Sequence, residues 1–424
     1  MGLRLKPAAA AQRMRYTMFE PLERMPEAEI ARRWRLVREL LVRHAPEASG
    51  LMAFSRLSLY YLTGTMNRGV FWLPQAGEPV LFLRRGLERA ALESPLSRVV
   101  QFRSYRDLPG LATEHEVPLG ATLAVEMAGL PWSMGQTLSS HLPGTAFVSG
   151  DLTLFKAQSF KSDWELGKMR LCGARHHQAL HEIMPARLKP GLSEREISHQ
   201  VWEVFFSLGH MGLMRMGSFG EEIFLGHVSA GDSANYPSAF DGPLGLRGEH
   251  PAVPFMGYAG KVWRKGEVLA LDVGFALEGY NTDKTQIYWP GKPGSIPKEV
   301  AAAHDFCVAV QAMLAENLQP GAVPSELYAR AMDMYAASGL GPGFMALPPN
   351  TVRFVGHGIG LVIDGWPVIA KGFDEPLEAG QTFALEPKFG LAGVGMVGVE
   401  NTFEVTPAGG VCLTGTEYDI VCLG

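Results

Sequence analysis

The amino-acid sequence predicts an α+β protein built from two domains, and three observations carry that prediction. Between Gly50 and Glu126 short apolar strands alternate with helical stretches, the pattern of an α/β unit. From Lys161 onward long amphipathic helices alternate with two apolar segments that read as hairpins, each carrying acidic residues. The length of 424 residues suits two domains or one large one. The boundary is expected near Phe155–Lys161, which divides the chain into 1–155 and 156–424.

Taken in order, residues 1–26 show little periodicity and are expected to wrap another surface. The basic group Arg4, Lys6, Arg13 and Arg15 reads as a solvated tail. Pro26 to His44 places Ile30, Trp34, Val37, Leu40 and Leu41 on one stripe of a helix. Strands are expected at Gly50–Phe54, Val70–Leu73, Pro79–Leu83, Val99–Phe102 and Thr122–Glu126, with a helix at Gly86–Glu93. A long helix follows from Lys161, capped by Ser162 or Asp163. His176 and His177 are adjacent on it, cannot face the same way, and are read as structural or solvated. Leu192–Leu208 is a second helix, with Ser193 as cap and Glu196 completing a capping box. Pro297–Leu314 and Ser325–Ala337 are two more, separated by a Pro-Gly breaker.

The chemistry-bearing residues sit in the hairpins. In VLALDVGFALEGYNTDKTQIY, Asp272 and Asp283 lie about equally far from the turn at Glu278-Gly279-Tyr280-Asn281, so they are expected to face each other across the strands. In LEPKFGLAGVGMVGVENTFEV, Glu386 and Glu400 are symmetric about Gly393. Acids held this close inside apolar strands repel, and their burial is costly unless positive charge lies among them. Lys284 should point to the opposite face from Asp283 because side chains alternate. Lys388, two residues after Glu386, can share its face, which leaves a local ion pair as the plain alternative to a metal. Between the hairpins His357 stands in FVGHGIGL, flanked by glycines that allow close backbone approach. Asp272, Asp283, His357, Glu386 and Glu400 together make a mixed oxygen and nitrogen ligand set suited to two divalent ions, of which Mn, Co, Zn and Fe all qualify.

In this order, with Gly-Tyr-x-x-Asp after the first aspartate, GHGIGL around the histidine, Leu-Glu-Pro and a final Val-Glu-Asn-Thr, these residues resemble the pita-bread metallopeptidases. That family comprises Xaa-Pro aminopeptidases, prolidases and methionine aminopeptidases, with creatinase as a relative. The resemblance covers the chain from about Lys161, and the short interval between the glutamates is more similar to the prolidase and Xaa-Pro aminopeptidase branch. It implies a creatinase-like α/β amino-terminal domain, a pita-bread catalytic domain of curved antiparallel sheet with helices outside, and a homodimer. It also implies hydrolysis of the amide bond before proline in a short peptide, by a hydroxide held between two metal ions, with Mn or Co favoured. Asp272 would chelate one ion, Asp283 and Glu400 would bridge both, and His357 and Glu386 would complete the second. Glu386 would move a proton from the water to the leaving amine.

Three positions depart from the family's pattern. Ser238 follows Pro237 where many relatives have a histidine, and Gln286 stands for an arginine after Thr285. Asp364 stands in GHGIGLVIDGWP where a substrate-contacting histidine is expected, and Pro367 keeps the register. His250, in an apparent insertion spanning 242–256, is a candidate replacement for the histidine missing at Ser238, or an ordinary loop residue. An ionised Asp364 cannot polarise a carbonyl as a histidine would. It could bind a cationic group, act as a base, or be held protonated. This keeps open a non-peptidase member of the fold, a small-amide hydrolase or an enzyme like dimethylsulfoniopropionate lyase. A catalytically dead binding protein is a further alternative, which the retention of all five ligand types disfavours.

Bulk properties exclude other classes. A net charge of −5 gives no electrostatic footprint for nucleic acid, and 47% hydrophobic with 19% charged residues argues against global disorder. No apolar run is long enough to span a membrane, and the first twenty residues lack a signal-peptide core. Cys172, Cys307, Cys412 and Cys422 show no Cys-x-x-Cys spacing, so a reducing cytoplasm is expected.

Overall fold

The computed structural model describes residues 23–424. The basic cluster Arg4 to Arg15, and most of the segment expected to wrap another surface, lie outside the described residues. Two compact units make up the chain, the first ending at Gln158 and the second running from Ser159 to Gly424.

The first unit opens with helix α1 (Glu27–His44), and Pro26 caps it in extended conformation because proline fixes φ without needing an N–H partner. Ile30, Val37, Leu40 and Leu41 are buried along it as the stripe requires. Arg33 is buried with them, its Nε 2.6 Å from Glu29 Oε1 and its Nη1 donating to Tyr61 O. A mixed sheet follows, with strands β1 (Gly50–Ala53), β2 (Gly69–Pro74), β3 (Val80–Leu83), β4 (Val99–Gln101), β5 (Thr122–Val125) and β6 (Ala146–Ser149). Their spatial order is β4-β3-β2-β1-β5-β6, antiparallel across β1–β2 and β2–β3 and parallel elsewhere. Met52, Val70, Trp72, Phe82, Leu123 and Leu138 belong to one core on this sheet.

The second unit has two helix pairs, each packed on its own apolar cluster. Helix α2 (Asp163–His177) begins at a capping box between Ser162 and Glu165, and α3 (Glu194–Ser207) at one between Ser193 and Glu196. They cover Leu269, Leu271, Val273 and Phe275 of strand β8 (Leu269–Leu277), which also pairs with β7 (Gly226–Ala230) and β9 (Tyr280–Trp289). His176 is fully buried, with Nδ1 3.1 Å from Thr282 Oγ1, so it is structural. Helices α4 (Lys298–Glu316) and α5 (Pro324–Ser338) cover the second cluster, which includes Ala270, Ile287, Phe383, Val397 and Phe403. This cluster lies on a sheet of β10 (Phe354–Gly358), β11 (Gly365–Ala370), β12 (Thr382–Leu385), β15 (Asn401–Thr406) and β16 (Gly409–Cys412). A short hairpin of β13 (Lys388–Leu391) and β14 (Gly395–Gly398) connects β12 to β15.

Register decides where the acids stand. The first hairpin turns on two residues, Glu278 at φ 51° and Gly279 at φ 89°, so Leu277 pairs with Tyr280. Asp272 therefore lies opposite Thr285, and Asp283 opposite Gly274. The expectation that the two aspartates face each other directly is corrected. The tight turn shifts the pairing by two residues, which keeps both on one face as diagonal neighbours. In the second hairpin Lys388 pairs with Gly398 and Leu391 with Gly395 around Gly393, and that register brings Glu386 and Glu400 to matching positions just outside it. The two sheets are tied at the same place. Thr285 N donates to Glu400 O at 3.1 Å, and Asp283 N donates to Thr402 Oγ1 at 2.8 Å.

Candidate metal centre

Alternation along the strands sets the direction of each candidate ligand. On β8 and β9 the odd-numbered and even-numbered residues face opposite sides, so Asp272, Asp283 and Thr285 share a face while Lys284 and Tyr288 take the other. Lys284 Nζ accordingly reaches Asn401 Oδ1 at 2.7 Å, on the far side from the aspartates. His357 lies on β10 between two strands. A Cβ at Gly356 would stand 2.6 Å from Ala384 O, and one at Gly358 2.3 Å from Trp366 O. Glycine on both sides lets β11 and β12 close on the histidine's backbone.

The candidate ligands converge. One ligand atom each of Asp283, His357 and Glu400 lie within 4.8 Å of one another. His357 Nε2 is 3.4 Å from Glu386 Oε1 and 3.7 Å from Glu400 Oε1, while its Nδ1 lies 3.2 Å from Gly358 O. A proton on Nδ1, donated to that carbonyl, leaves the Nε2 lone pair facing the carboxylates, the arrangement a metal-binding histidine needs. Asp283, His357, Glu386 and Glu400 thus fit a divalent ion by donor type and by direction.

Lys388 also enters this cluster. Its Nζ lies 2.6 Å from Glu400 Oε2, 3.2 Å from Glu386 Oε2 and 3.4 Å from Asp272 Oδ2. Thr285 Oγ1 donates to Asp272 Oδ1 at 2.7 Å and stands 3.2 Å from Glu400 Oε2.

Electrostatics follow from this crowding. Burial pushes the Asp272 carboxyl up to about 7 against the pull of Lys388. Burial likewise pushes Glu386 up to about 7, with the Glu400 charge adding to it. Asp283 is raised well above the usual carboxylate range by burial and by its acidic neighbours. Glu400 is held low, since Lys388 and His357 outweigh its burial. Burial opposes charge on His357, yet Glu400, Glu386 and Asp283 win and raise it to about 10. The field that draws a proton to this histidine equally draws a cation.

The centre forms the floor of a pocket lined by Met214, Met216, Ile223, Phe240 and Ile363. Asp364 reaches the same pocket, with Oδ1 accepting from Gly217 N at 2.6 Å. Burial raises its carboxyl, and the Gly217 N–H pulls it back. His250 does not join the others. It is exposed, its Nδ1 accepts from Ala252 N at 3.1 Å, and it is not among the residues lining the pocket. The local Glu-His-Pro turn uses the imidazole itself, which is why it is corrected to a loop residue. Ser238 accepts from Phe240 N, and Gln286 reaches Asp419 O on the face away from Asp283.

The sequence did not single out His227. It lies on β7 directly opposite Asp272, lines the pocket, and its Nε2 is buried without a hydrogen-bond partner among the described residues. Burial, with Lys388 next, lowers it to about 4, so it is neutral. In GHVSA it looks like any strand residue. Only its pairing with the aspartate strand marks it out.

Residues 167–407 match metallopeptidase family M24, and residues 33–156 match the creatinase/prolidase N-terminal domain. The chain belongs to metallopeptidase family M24. Curated relatives in or near this family include a probable dipeptidase PepE from Mycobacterium bovis, 27% identical over 390 residues, covering 88% of this chain and 92% of the relative. An Xaa-Pro dipeptidase from Lactobacillus delbrueckii subsp. lactis is 27% identical over 302 residues, covering 71% and 72%. Among solved structures, dipeptidase PepE from Mycobacterium ulcerans aligns with a TM-score of 0.74 at 24% identity, covering 95% of this chain and 100% of that one. An Xaa-Pro dipeptidase from Bacillus anthracis aligns with a TM-score of 0.75 at 19% identity, covering 93% and 99%. The pita-bread fold with a creatinase-like first domain is therefore the fold of this M24 chain. No described helix is long and apolar enough to cross a membrane.

Proposed function

We propose that this protein is a metal-dependent dipeptidase or aminopeptidase that cleaves the amide bond before proline at the amino terminus of short peptides. The observation that carries the reading is the meeting of Asp283, His357, Glu386 and Glu400 on the floor of a pocket with apolar walls. A divalent ion bound there, Mn or Co by resemblance, would supply a Lewis acid that polarises the scissile carbonyl and makes water reactive near neutral pH.

The chain's own residues account for the rest. Met214, Met216, Ile223, Phe240 and Ile363 offer apolar surface for a proline ring. Asp364 presents a carboxylate at the pocket wall, suited to the ammonium of a free amino terminus. Glu386, next to both His357 and Lys388, is placed to take a proton from the attacking water and return it to the leaving amine. Neutral His227 offers a hydrogen bond to the oxygen that gains charge. The four free cysteines suit a reducing cytoplasm, and the homodimer is carried over from the family resemblance.

The test is Asp283→Asn. Metal content and hydrolysis of Xaa-Pro dipeptides should fall together, and a variant that keeps the parent's metal content refutes the assignment. A second reading rests on Asp364, whose carboxylate in the pocket also suits a small non-peptide substrate. A panel of Xaa-Pro peptides and small amides, with Mn or Co added, separates the two. Asp364→His removes the carboxylate that would hold the peptide's ammonium, so it should weaken cleavage of unblocked Xaa-Pro peptides on the peptidase reading.

A further inference from the structure

Lys388 is almost fully enclosed, with 1% of its side chain exposed, and it stands among the carboxylates expected to hold two metal ions. We propose that the Lys388 ammonium takes the place of a second divalent ion, so that the centre holds one metal ion beside a built-in organic cation. The inference rests on the metallopeptidase reading above and deepens it.

Each glutamate divides its two oxygens between two positions. Glu386 turns Oε1 to His357 Nε2 at 3.4 Å and Oε2 to Lys388 Nζ at 3.2 Å. Glu400 turns Oε1 to His357 Nε2 at 3.7 Å and Oε2 to Lys388 Nζ at 2.6 Å. One position is the group formed with Asp283 and His357, which suits a metal. At the other stands the ammonium. The glutamates bridge the two as carboxylates bridge a pair of cations.

Asp272 belongs to the ammonium side. Its Oδ1 accepts from Thr285 Oγ1 at 2.7 Å, and its Oδ2 faces Lys388 Nζ at 3.4 Å. An ion chelated by Asp272 would displace both partners and stand against a fixed positive charge. The ammonium stands among three carboxylates, donating hydrogen bonds to Glu386 and Glu400 and forming an ion pair with Asp272. All three separations are longer than the roughly 2.0–2.2 Å of a metal–oxygen bond, as an ammonium rather than a metal ion requires.

The backbone keeps the lysine there. Lys388 opens β13 opposite Gly398, where a Cβ would stand 2.6 Å from Lys388 Cα, so only glycine lets the strands close. Met345 N donates to Lys388 O at 2.9 Å on the other side.

The experiment is a count of bound ions. Chelator-stripped protein is titrated with Co²⁺ or Mn²⁺ by calorimetry and assayed for metal after desalting. The full-length chain should take up one ion, and Lys388→Ala and Lys388→Gly should take up two. Two tightly held ions in the parent, or one in folded Lys388 variants, overturn the inference. If neither variant folds, the parent's count alone decides. A parent that binds no ion overturns this inference and the metallopeptidase reading together. The expected counts without cleavage of any Xaa-Pro peptide uphold the lysine's role and overturn only the substrate assignment.

Discussion

Asp364 Oδ1 accepts a hydrogen bond from Gly217 N at 2.6 Å, which fixes a pocket carboxylate to the loop that follows Leu213–Arg215. Ile363 N, bonded to Arg215 O at 2.9 Å, pins the same segment. The acid is therefore held at the pocket wall and does not wave in solvent. Asp364→Asn keeps an acceptor for Gly217 and removes the charge. With an unblocked Xaa-Pro dipeptide KM should rise about 10-fold, the worth of roughly 1.4 kcal/mol. Metal content should stay unchanged. Steady-state kinetics with elemental analysis checks both.

His227 stands opposite Asp272 with a buried Nε2 that has no hydrogen-bond partner among the described residues, and burial keeps it neutral at physiological pH. If that nitrogen meets the developing oxyanion, His227→Phe should lower kcat/KM by roughly 100-fold, in line with the loss of one oxyanion donor. Phe240, whose ring centroid is 5.7 Å away, gives the replacement ring a packing partner. An unchanged metal count and melting temperature, alongside the kinetic loss, separate this role from a structural one.

Glu194 Oε1 accepts from Ala230 N at 2.8 Å and its Oε2 from Tyr258 N at 3.0 Å, joining helix α3 to strand β7 and to the segment after it. Its side chain has no solvent exposure. Glu194→Ala leaves two backbone donors buried without acceptors, at about 1–3 kcal/mol each. Urea unfolding should show a loss of about 3 kcal/mol, with a smaller loss for Glu194→Gln.

His210 gives a pH dependence. Burial lowers its imidazole to about 4, below the roughly 6.5 of an unfolded chain. Between those values the unfolded state binds more protons, so stability rises with pH. Its contribution is fully present above about pH 6.5 and is lost as pH falls towards 4, up to roughly 3 kcal/mol. His210→Asn retains an acceptor for Gly212 N, which now bonds Nδ1 at 2.8 Å, and removes the titration. The slope of unfolding free energy against pH in this window should flatten by about one proton.

Much of this molecule was legible in the chain. The Ser193–Glu196 capping box announced its helix, because a serine followed three residues later by glutamate satisfies two backbone donors locally, and Ser162, one of two expected caps, closes a second box with Glu165. The five strands expected before residue 127 are present within a residue or two of their limits. Helix Trp132–His141 and strand Ala146–Ser149 were missed, having little burial to give them a period. The candidate ligands were legible as types and spacings. Their pairing was not, because a two-residue turn and a longer one give different registers for similar intervals, and only the φ values at Glu278 and Gly279 distinguish them. Lys388 could be named as a neighbour of Glu386, but its reach to Asp272 depends on a strand more than a hundred residues away. His227 was hidden for the same reason.

The Thr285–Glu400 and Asp283–Thr402 bonds carry a last consequence. They stitch together the two sheets that carry the candidate ligands, so the pocket floor shares its fate with the surrounding architecture. Rim segments can drift, exchange residues or admit new guests while the floor stays whole. Warming should extinguish ion retention only when the entire second unit melts, in one event and without an earlier leak.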